Sequence, residues 1–367
     1  MASSDVLLYG VGDVRPNRDN PESIVALVAP FLKEADIRFG QLETTFSERG
    51  AAQMAMLPGN RSHPRNVKAL TCAGFDVVSF AGNHTLDWGT DALLDTIDIV
   101  KQNGIAIIGV GKNLEEARKP VIIERKGIKV AFLAYCSVLP KGYEAWPDKP
   151  GAAPMRASTF YEQVDWQPGT PPRILSFANK EDLEAMKEDI RKVRPLADVV
   201  VLSLHWGVHF VPAVIAMYQK EVAYAAIDAG VDLILGHHAH ILKGIEVYKG
   251  KVIFYSLCNF AFDLAIQALR RHLFHDHYGW EVDPEYPTYA FPADSRKAIM
   301  AKCIISDRKI AKVSYLPVMV NKQSQPEILK ASDKRSQEVV DYMNKITQDQ
   351  KLGTEYTWDG DEVVVAT

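Results

Sequence analysis

The sequence predicts an α+β protein, built as a four-layer α/β/β/α sandwich, from three observations. Strand-like apolar segments alternate with helix-like segments over residues 6–110, and the same alternation returns over residues 180–235. Three further pairs of strand-like segments are joined by short turns, which is typical of antiparallel hairpins. Alternating strand–helix units combined with hairpins indicate two packed sheets flanked by helices.

The individual elements are placed by apolar runs and by the residues that start and stop them. Asn20-Pro21 is a helix start, because Asn caps a helix and Pro fits its first position. The predicted strands cover 6–11, 37–42, 76–81, 105–110, 121–125, 128–135, 198–204, 232–235, 299–305 and 310–320, with a further hairpin within 244–257. The predicted helices cover 20–35, 66–73, 90–104, 180–193, 214–229 and 333–347.

Two long segments and a polar tail interrupt this pattern. Residues 139–176 are rich in Pro, Gly, Trp and Tyr, and residues 262–295 are rich in aromatics, Pro and His. Loops of this length in a compact domain are usually functional, so both are expected to be lid loops at an active site. The domain division that follows is a main domain over 1–322 and a peripheral C-terminal tail over 323–367.

The composition is that of an ordinary soluble globular protein. The chain has 367 residues, is 47% hydrophobic and carries a net charge of -4, so no basic surface indicates a nucleic-acid partner. No apolar run approaches the roughly 20 residues that span a bilayer, and the first residues do not resemble a signal peptide. The four cysteines form no Cys-x-x-Cys pair, and Cys72 and Cys136, which lie in apolar segments, are expected to be reduced core residues. We therefore expect a cytoplasmic protein with a small-molecule substrate and no membrane partner, and we leave homo-oligomerisation open.

Five junctions between a predicted strand and the following loop carry side chains that can bind a metal. Ligand sites in open α/β sheets collect at the carboxyl ends of strands, and imidazole is the commonest protein metal ligand. Each junction alone is more often a turn, a helix cap or a hydrogen-bonded structural residue than a ligand, but five in the same position favour a metal site. The junctions are Gly12-Asp13, Gln41-Leu42-Glu43, Gly82-Asn83-His84 with Asp87 following, His205-Trp206-Gly207 and His238-Ala239-His240.

The order of these motifs resembles the CapA (poly-gamma-glutamate synthesis protein, PGA_cap) family of the calcineurin-like metallophosphoesterase superfamily. The resemblance covers residues 5–262 and implies a metallophosphoesterase-like fold with one or two divalent ions. Mn, Zn and Fe suit the mixed ligands equally. The ligands that the resemblance implies are Asp13 and His240 for one ion, Asn83, His205 and His238 for the other, and Glu43 as the bridge between them.

The resemblance also implies catalytic roles, with some departures from the family pattern. His84 would act on the leaving group as a general acid or oxyanion stabiliser, and Asp87 would either orient His84 or close the following turn. The superfamily motif Asp-x-His ends in Arg15 here, which removes one ligand of the first metal. Arg15 would contact an anionic substrate group or remain a solvated loop residue. His209 stands where the family often has Glu, so it is a second candidate for substrate contact.

Two features are left without an assigned role. Cys258 replaces the Gly of a Ser-Leu-Gly-Asn-Phe motif, and no activating sequence surrounds it. His272, His275 and His277 have a spacing that allows a second metal site, although a solvent-exposed loop explains them more simply.

Three functions remain open at this point. The preferred one is hydrolysis of an amide or related C–N bond in a small acidic metabolite by a metal-bound hydroxide. The alternatives are a metal-dependent phosphoesterase, which the missing Asp-x-His weakens, and a non-catalytic accessory protein of poly-gamma-glutamate assembly. The identity of the substrate and the number of ions stay open.

Overall fold

Two β-sheets face each other across the main hydrophobic core. The computed structural model of the chain describes residues 5–53, 60–167, 169–265 and 279–367. Within these ranges, a ten-stranded sheet and a six-stranded sheet share one core cluster, and helices cover the outer sides. The predicted fold class, two packed sheets flanked by helices, is confirmed.

The bounds of the elements agree with most of the predicted segments. The helices are α1 (Ala29–Leu32), α2 (Val67–Ala73), α3 (Gly89–Gln102), α4 (Leu114–Arg118), α5 (Lys180–Val193), α6 (Met217–Ala229) and α7 (Lys334–Asp349). The strands are β1 (Val6–Arg15), β2 (Ile37–Leu42), β3 (Thr45–Phe46), β4 (Arg61–Ser62), β5 (Val77–Ser79), β6 (Ala106–Ile108), β7 (Val110–Gly111), β8 (Val121–Arg125), β9 (Ile128–Cys136), β10 (Gly151–Ala152), β11 (Ala157–Glu162), β12 (Arg173–Ala178), β13 (Val199–His205), β14 (Leu233–His237), β15 (Ile245–Tyr248), β16 (Lys251–Phe254), β17 (Asn259–Phe262), β18 (Lys297–Ser306), β19 (Lys309–Val320), β20 (Pro326–Ile328), β21 (Tyr356–Asp359) and β22 (Glu362–Val365).

The larger sheet has a parallel half and an antiparallel half that meet at β1. Its order is β21-β22-β19-β18-β1-β2-β5-β6, with β17 also paired to β1 and β20 to β19. The strands β1, β2, β5 and β6 run parallel, whereas β18 and β19 are antiparallel to their neighbours. The carboxyl ends of β1, β2 and β5 therefore lie along the same edge of this sheet.

The smaller sheet is mostly parallel and is buried on both faces. Its order is β15-β16-β14-β13-β9-β8, with β9, β13, β14 and β16 parallel. Alternate residues of β13 face opposite cores: Val199 and Val201 lie in the core between the sheets, and Val200 and Leu202 lie under α5 and α6. This explains the continuous apolar sequence of the strand, because both of its faces are covered.

Close packing fixes one sheet against the other. The rings of Phe39 on β2 and Phe132 on β9 are stacked with centroids 5.9 Å apart. Gly10 on β1 lies against Leu235 of β14, where a Cβ would come within 2.9 Å of the leucine side chain. On the outer side of the larger sheet, Phe31 of α1 stacks on Tyr9 of β1. The strand ends of the two sheets are thereby held in a fixed relation.

The structure differs from the predicted single helix over 20–35. The segment forms a 3-10 turn at Pro21–Val25 followed by the short α1. Pro30 lies in the first turn of α1, and proline cannot donate the backbone hydrogen bond that a continuous helix needs at that position. The helix is therefore interrupted.

The structure also differs from the prediction that residues 323–367 form a peripheral tail. The strands β20 and β22 both pair with β19 and extend the larger sheet. Helix α7 buries Val339, Met343 and Ile346 in the main core. These apolar side chains recur every three to four residues, which gives α7 one face that is covered only by the main domain.

The first predicted lid loop, 139–176, is partly regular. Its second half contains the hairpin β11–β12, and β12 packs against α6, with the Ser176 hydroxyl accepting from the Tyr218 backbone N–H. The lid role of the loops stays a prediction. In the described part of the chain, no helix has the length and apolar character needed to cross a bilayer.

Candidate metal centre

The candidate site lies where the carboxyl ends of strands from both sheets meet. From the larger sheet come Asp13 near the end of β1, Glu43 directly after β2, and Asn83 shortly after β5. From the smaller sheet come His205, the last residue of β13, and the turn that follows β14. The five junctions predicted from the sequence therefore converge, because both sheets place the same end of their parallel strands at this edge.

One group of donor atoms surrounds the His205 imidazole. Its Nε2 lies 2.8 Å from Asn83 Oδ1, 3.2 Å from His238 Nδ1 and 3.5 Å from Glu43 Oε1. When metal–ligand bonds are about 2.0–2.2 Å, neighbouring donors around one ion lie about 3–3.5 Å apart. The separations in this group are close to that range, so these four side chains fit around a single cation.

A second group shares Glu43 with the first. His240 Nε2 lies 3.7 Å from Glu43 Oε1, and His240 Nδ1 lies 3.5 Å from Asp13 Oδ2. Donor atoms of Asp13, Glu43 and His240 all lie within 4.8 Å of one another, as do those of Glu43, His205 and His238. Glu43 thus stands between the two groups, at the position that the resemblance implies for a bridging ligand.

Asn259 determines which nitrogen of His240 can face a cation. His240 Nδ1 lies 2.8 Å from Asn259 Oδ1, and Asn259 Nδ2 donates to the Tyr289 hydroxyl oxygen at 2.9 Å. The amide oxygen is therefore assigned as the acceptor of an Nδ1–H proton, which leaves the Nε2 lone pair directed toward Glu43. Tyr289 comes from the second predicted lid loop, so that loop supports a candidate ligand.

The turn after β14 is held in an unusual backbone conformation. His238 and His240 have φ values of 87° and 52°, in the left-handed region that residues other than glycine rarely adopt. A Cβ on Gly236 would lie 2.3 Å from the Tyr255 carbonyl oxygen, so only glycine fits before the turn. The His238 backbone N–H donates to Asp13 Oδ2 at 3.2 Å. Backbone strain at a cluster of polar side chains is typical of functional sites.

His237 is a buried neighbour of Asp13. Its ring is fully buried, faces Phe39 and places Nδ1 3.4 Å from Asp13 Oδ1. Although burial acts in the opposite direction, interactions with His237, His205 and His240 lower the pKa of Asp13. Asp13 is therefore ionised, which is the form that binds a cation.

Burial controls the protonation of the remaining donors. Burial, followed by the charges of neighbouring imidazoles, lowers the pKa of His238 well below its usual value, and burial also lowers the pKa of His205 and His240. Burial and the adjacent charge of Asp13 raise the pKa of Glu43 well above the usual range. The neutral imidazoles can bind a metal directly. The charge of Arg15 acts to lower the pKa of Glu43 but does not offset burial, so Glu43 needs a further cation beside it to be ionised.

The surroundings of Glu43 fit a bound cation. Glu43 is fully buried, and neither of its carboxylate oxygens has a hydrogen-bond partner among the described residues. A buried carboxylate without hydrogen bonds is strongly unfavourable, unless a cation compensates for its lost hydration. The residues present therefore fit a divalent metal.

His84 is more exposed than the candidate ligands and is held by Asp87. His84 Nδ1 is 2.6 Å from Asp87 Oδ2, and the His84 side chain is 19% exposed while that of Asp87 is buried. Of the two roles considered for Asp87, this contact favours orienting His84. The bond fixes Nδ1 as the protonated nitrogen and directs Nε2 away from Asp87, which suits a proton donor or acceptor.

The two candidate substrate residues occupy different positions. Arg15 is 3% exposed and donates to the Asp263 carbonyl oxygen at 2.6 Å, and burial lowers its pKa to about 10. The His209 ring lies 3.8 Å from the His238 ring, centroid to centroid, and burial lowers its pKa to about 3. His209 is a neutral imidazole beside the candidate ligands, whereas Arg15 is a buried cation. Substrate contact by either stays a prediction.

Cys258 has a structural position. Its thiol is fully buried and donates to the Ser295 carbonyl oxygen at 3.4 Å, and burial raises its pKa. Its backbone carbonyl accepts from the Asp13 N–H at 2.9 Å and so helps to position Asp13. The candidate cluster His272, His275 and His277 lies outside the described residues.

Sequence reasoning missed two residues of this site. Asn259 follows Cys258 in a motif that was recognised, but nothing in the sequence indicates its contact with His240. Tyr143 lies in the first predicted lid loop, and its hydroxyl reaches Asp87 Oδ1 at 3.4 Å. Both contacts join residues far apart in the chain, and only the folded structure brings them together.

Comparison with known proteins identifies the family of the chain. The family model described as bacterial capsule synthesis protein PGA_cap matches residues 5–264. The PGA biosynthesis protein CapA of Bacillus subtilis is 30% identical over 272 residues, which are 71% of this chain and 64% of that protein. The capsule biosynthesis protein CapA of Bacillus anthracis is 30% identical over 250 residues, 67% of this chain and 55% of the relative. The chain thus spans between half and two thirds of the length of these two relatives.

Solved structures show more distant likenesses. A phosphatase from Mycoplasma pneumoniae has a TM-score of 0.48 at 14% identity, covering 86% of this chain and 94% of that one. A calcineurin-like phosphoesterase from Bacillus subtilis has a TM-score of 0.41 at 13% identity, covering 94% and 97%. The family model, which matches most of the chain including all of the candidate ligands, is the decisive comparison. The chain belongs to the PGA_cap family of bacterial capsule synthesis proteins.

Proposed function

We propose that this protein is a metal-dependent hydrolase that cleaves an amide or related C–N bond in a small acidic metabolite. The observation that carries the proposal is the convergence of two donor groups on Glu43, with the His84–Asp87 pair close enough for His84 to act on the pKa of His205 and His238. A purely structural cluster would not need an oriented imidazole beside it. This combination supports hydrolysis over a binding role.

The side chains of the site would have different roles in such a reaction. Asp13, Glu43, Asn83, His205, His238 and His240 would hold one or two divalent ions, of Mn, Zn or Fe. When bound, such ions polarise the substrate carbonyl and lower the pKa of water, which provides a nucleophile at neutral pH. His84 would donate from Nε2 the proton that the departing nitrogen needs, because an amine leaves poorly as an anion. For this step the ring must carry a proton on both nitrogens, and the Asp87 carboxylate beside Nδ1 would stabilise that imidazolium.

The substrate class is inferred from two features. The family is named for capsule synthesis, and one relative for the biosynthesis of PGA, a polymer of glutamate linked by amide bonds. The buried positive charge of Arg15 near Glu43 would favour an acidic substrate. We therefore propose a γ-glutamyl amide as the first substrate to test.

Two alternatives have specific support. A phosphoesterase is favoured by the motif order Asn83-His84 followed by His238-x-His240, but Asp13-Val14-Arg15 lacks the histidine of the superfamily motif. A non-catalytic role is favoured by a relative in Mycobacterium tuberculosis, 30% identical over 224 residues, that is named a probable polyglutamine synthesis accessory protein. Both alternatives are outcomes of the same experiment.

The test is a hydrolysis screen of the full chain loaded with Mn²⁺ or Zn²⁺ against γ-glutamyl amides and phosphoesters. We expect amide cleavage that H84A reduces by about 10²-fold or more, since a general acid contributes about 10²–10⁴-fold. The matched control is H63A, because His63 is an exposed histidine outside the site. Phosphate release without amide cleavage would establish the phosphoesterase, and no turnover of either class would favour the accessory role.

The metal itself is tested separately by elemental analysis of the purified protein. We expect at least one equivalent of a divalent metal per chain after loading and gel filtration. Less than about 0.2 equivalents after incubation with Mn²⁺ or Zn²⁺ would rule out the metal centre, whatever the hydrolysis screen shows.

A further inference from the structure

The Asp87 carboxylate has a different partner on each of its two oxygens. Oδ2 lies 2.6 Å from His84 Nδ1, and Oδ1 accepts a hydrogen bond from the Tyr143 hydroxyl at 3.4 Å. Both Asp87 and Tyr143 are almost fully buried, at 3% and 5% exposure. A carboxylate that is bound at both oxygens cannot rotate without breaking one of these contacts. Tyr143 is thus the partner of the carboxylate oxygen that does not face His84.

The position of Tyr143 is fixed by the backbone around it. Its N–H donates to the Pro140 carbonyl oxygen at 3.0 Å, and its own carbonyl accepts from the Ala152 N–H at 3.0 Å. Gly151 precedes Ala152, and a Cβ on it would lie 2.5 Å from the Ala145 nitrogen. The two chain segments around Ala145 and Gly151 therefore lie in close contact. Since Gly151 and Ala152 pair with β7, this loop is tied to the main domain. The segment that carries Tyr143 is therefore anchored, and it holds the phenol beside Asp87.

The chemistry of the pair supports a lasting donor–acceptor contact. Burial, followed by the negative charge of Asp87, raises the pKa of Tyr143, so the hydroxyl keeps its proton. The ring packs in the main core, and only the hydroxyl extends to the carboxylate. Removing the oxygen alone would therefore leave the packing of the ring in place.

We propose that Tyr143 is a positioning residue that holds the Asp87 carboxylate in the orientation that fixes His84. The series of contacts runs from the Tyr143 hydroxyl to Asp87 Oδ1 and from Asp87 Oδ2 to His84 Nδ1, so that Nε2 is the ring nitrogen that Asp87 does not hold. The catalytic part of this inference rests on the proposed function, but the positioning part does not. It also gives the first predicted lid loop a defined task, since that loop supplies Tyr143.

The first test measures His84 directly and needs no substrate. The full chain is labelled with ¹⁵N-histidine and loaded with Zn²⁺, and His84 is assigned from the signals lost in H84A. In Y143F we expect the His84 Nδ1 proton to exchange with solvent about three- to tenfold faster, as the loss of one modest hydrogen bond predicts. The matched control is Y135F, because the Tyr135 hydroxyl donates to Asp189 at 2.7 Å on the helix-covered side of the smaller sheet.

D87N gives the upper limit of the effect. If Y143F leaves the proton exchange of His84 as in the wild type while D87N accelerates it, the tyrosine is a packing residue and the inference is refuted. An equal acceleration in Y135F would refute it as well, because the effect would then follow from any loss of a buried hydroxyl.

The second test compares leaving groups. A γ-glutamyl anilide with a nitro substituent leaves without much help from an acid, whereas a γ-glutamyl alkylamide needs protonation. We expect Y143F to lower kcat for the alkylamide about three- to tenfold more than for the nitroanilide, with little change in KM. An equal loss on both substrates would contradict positioning. If neither amide is cleaved by the wild type, the proposed function fails, and the exchange measurement alone decides the role of Tyr143.

Discussion

Replacement of Glu43 by glutamine is expected to have opposite effects on the metal-free and the metal-loaded protein. Glu43 is fully buried, its oxygens lack hydrogen bonds among the described residues, and its pKa is raised by burial and by Asp13. Without metal, its charged form therefore opposes folding. With metal, the same charge would be the shared ligand of both donor groups. E43Q removes the charge and keeps the shape.

The expected magnitudes follow from these contacts. Removing a poorly compensated buried charge should stabilise the metal-free protein by about 1–3 kcal/mol. An unfolding entropy of about 2.1 cal/mol/K per residue makes that about 1–4 °C in Tm for a chain of this length. At an ion concentration of about 100 Kd, metal should stabilise the wild type by about 2.7 kcal/mol. If E43Q lowers the affinity about 100-fold, the same concentration should contribute only about 0.4 kcal/mol.

The sign of the pH dependence provides a second check. Because the pKa of Glu43 is raised in the folded state, its protonated form contributes stability below the pKa of the unfolded chain. That contribution is lost as pH rises through the folded-state pKa. The Tm advantage of metal-free E43Q over the wild type should therefore be smallest in acid and should grow as pH rises.

The assay is differential scanning fluorimetry with and without Zn²⁺ from pH 5 to 8. The matched control is E246Q, since Glu246 is a buried glutamate that accepts from Tyr224 and Tyr255 outside the site. We expect E246Q to keep the full metal-induced shift. The reasoning would be refuted by E43Q losing stability in the absence of metal, or by E43Q keeping the wild-type shift in its presence.

Two further predictions concern supporting residues, and a third concerns the protons released on metal binding. N259A should weaken metal binding about 10–100-fold, because His240 loses the acceptor that fixes its tautomer. Calorimetric titration measures the Kd for the metal, and an unchanged Kd would contradict the prediction. G12A should destabilise the fold by about 1–3 kcal/mol or more, because a Cβ would lie 1.8 Å from the Cys258 carbonyl oxygen. Urea unfolding measures this loss of stability, and an unfolding midpoint equal to that of the wild type would show that the backbone shifts to accommodate the Cβ. Metal binding should release protons and tighten as pH rises, since Glu43 must lose its proton; calorimetry in two buffers of different ionisation enthalpy tests this, and proton uptake would oppose it.

The sequence by itself determined the layers of the fold and the identity of the candidate ligands. Apolar periodicity located most strands, because each strand buries one or both faces and its sequence records that burial. Polar residues such as Asp13 and His205 stood out because each interrupts a strand at its end. That local signal needs no knowledge of distant partners.

Tertiary structure decided everything that depends on contacts between distant segments. The tail seemed peripheral in sequence because its apolar residues are sparse, yet α7 and β22 complete the core and the larger sheet. The bond from Tyr143 to Asp87 spans 56 positions in the chain, and the contact of His205 with Asn83 spans 122. These distances are set by the packing of the two sheets against each other. The hydrophobic pattern of a strand shows that a face is buried but not which other strand lies opposite. The sequence therefore named the candidate ligands, and only the packing of the sheets showed that Glu43 lies between the two donor groups and that the Tyr143 hydroxyl reaches Asp87.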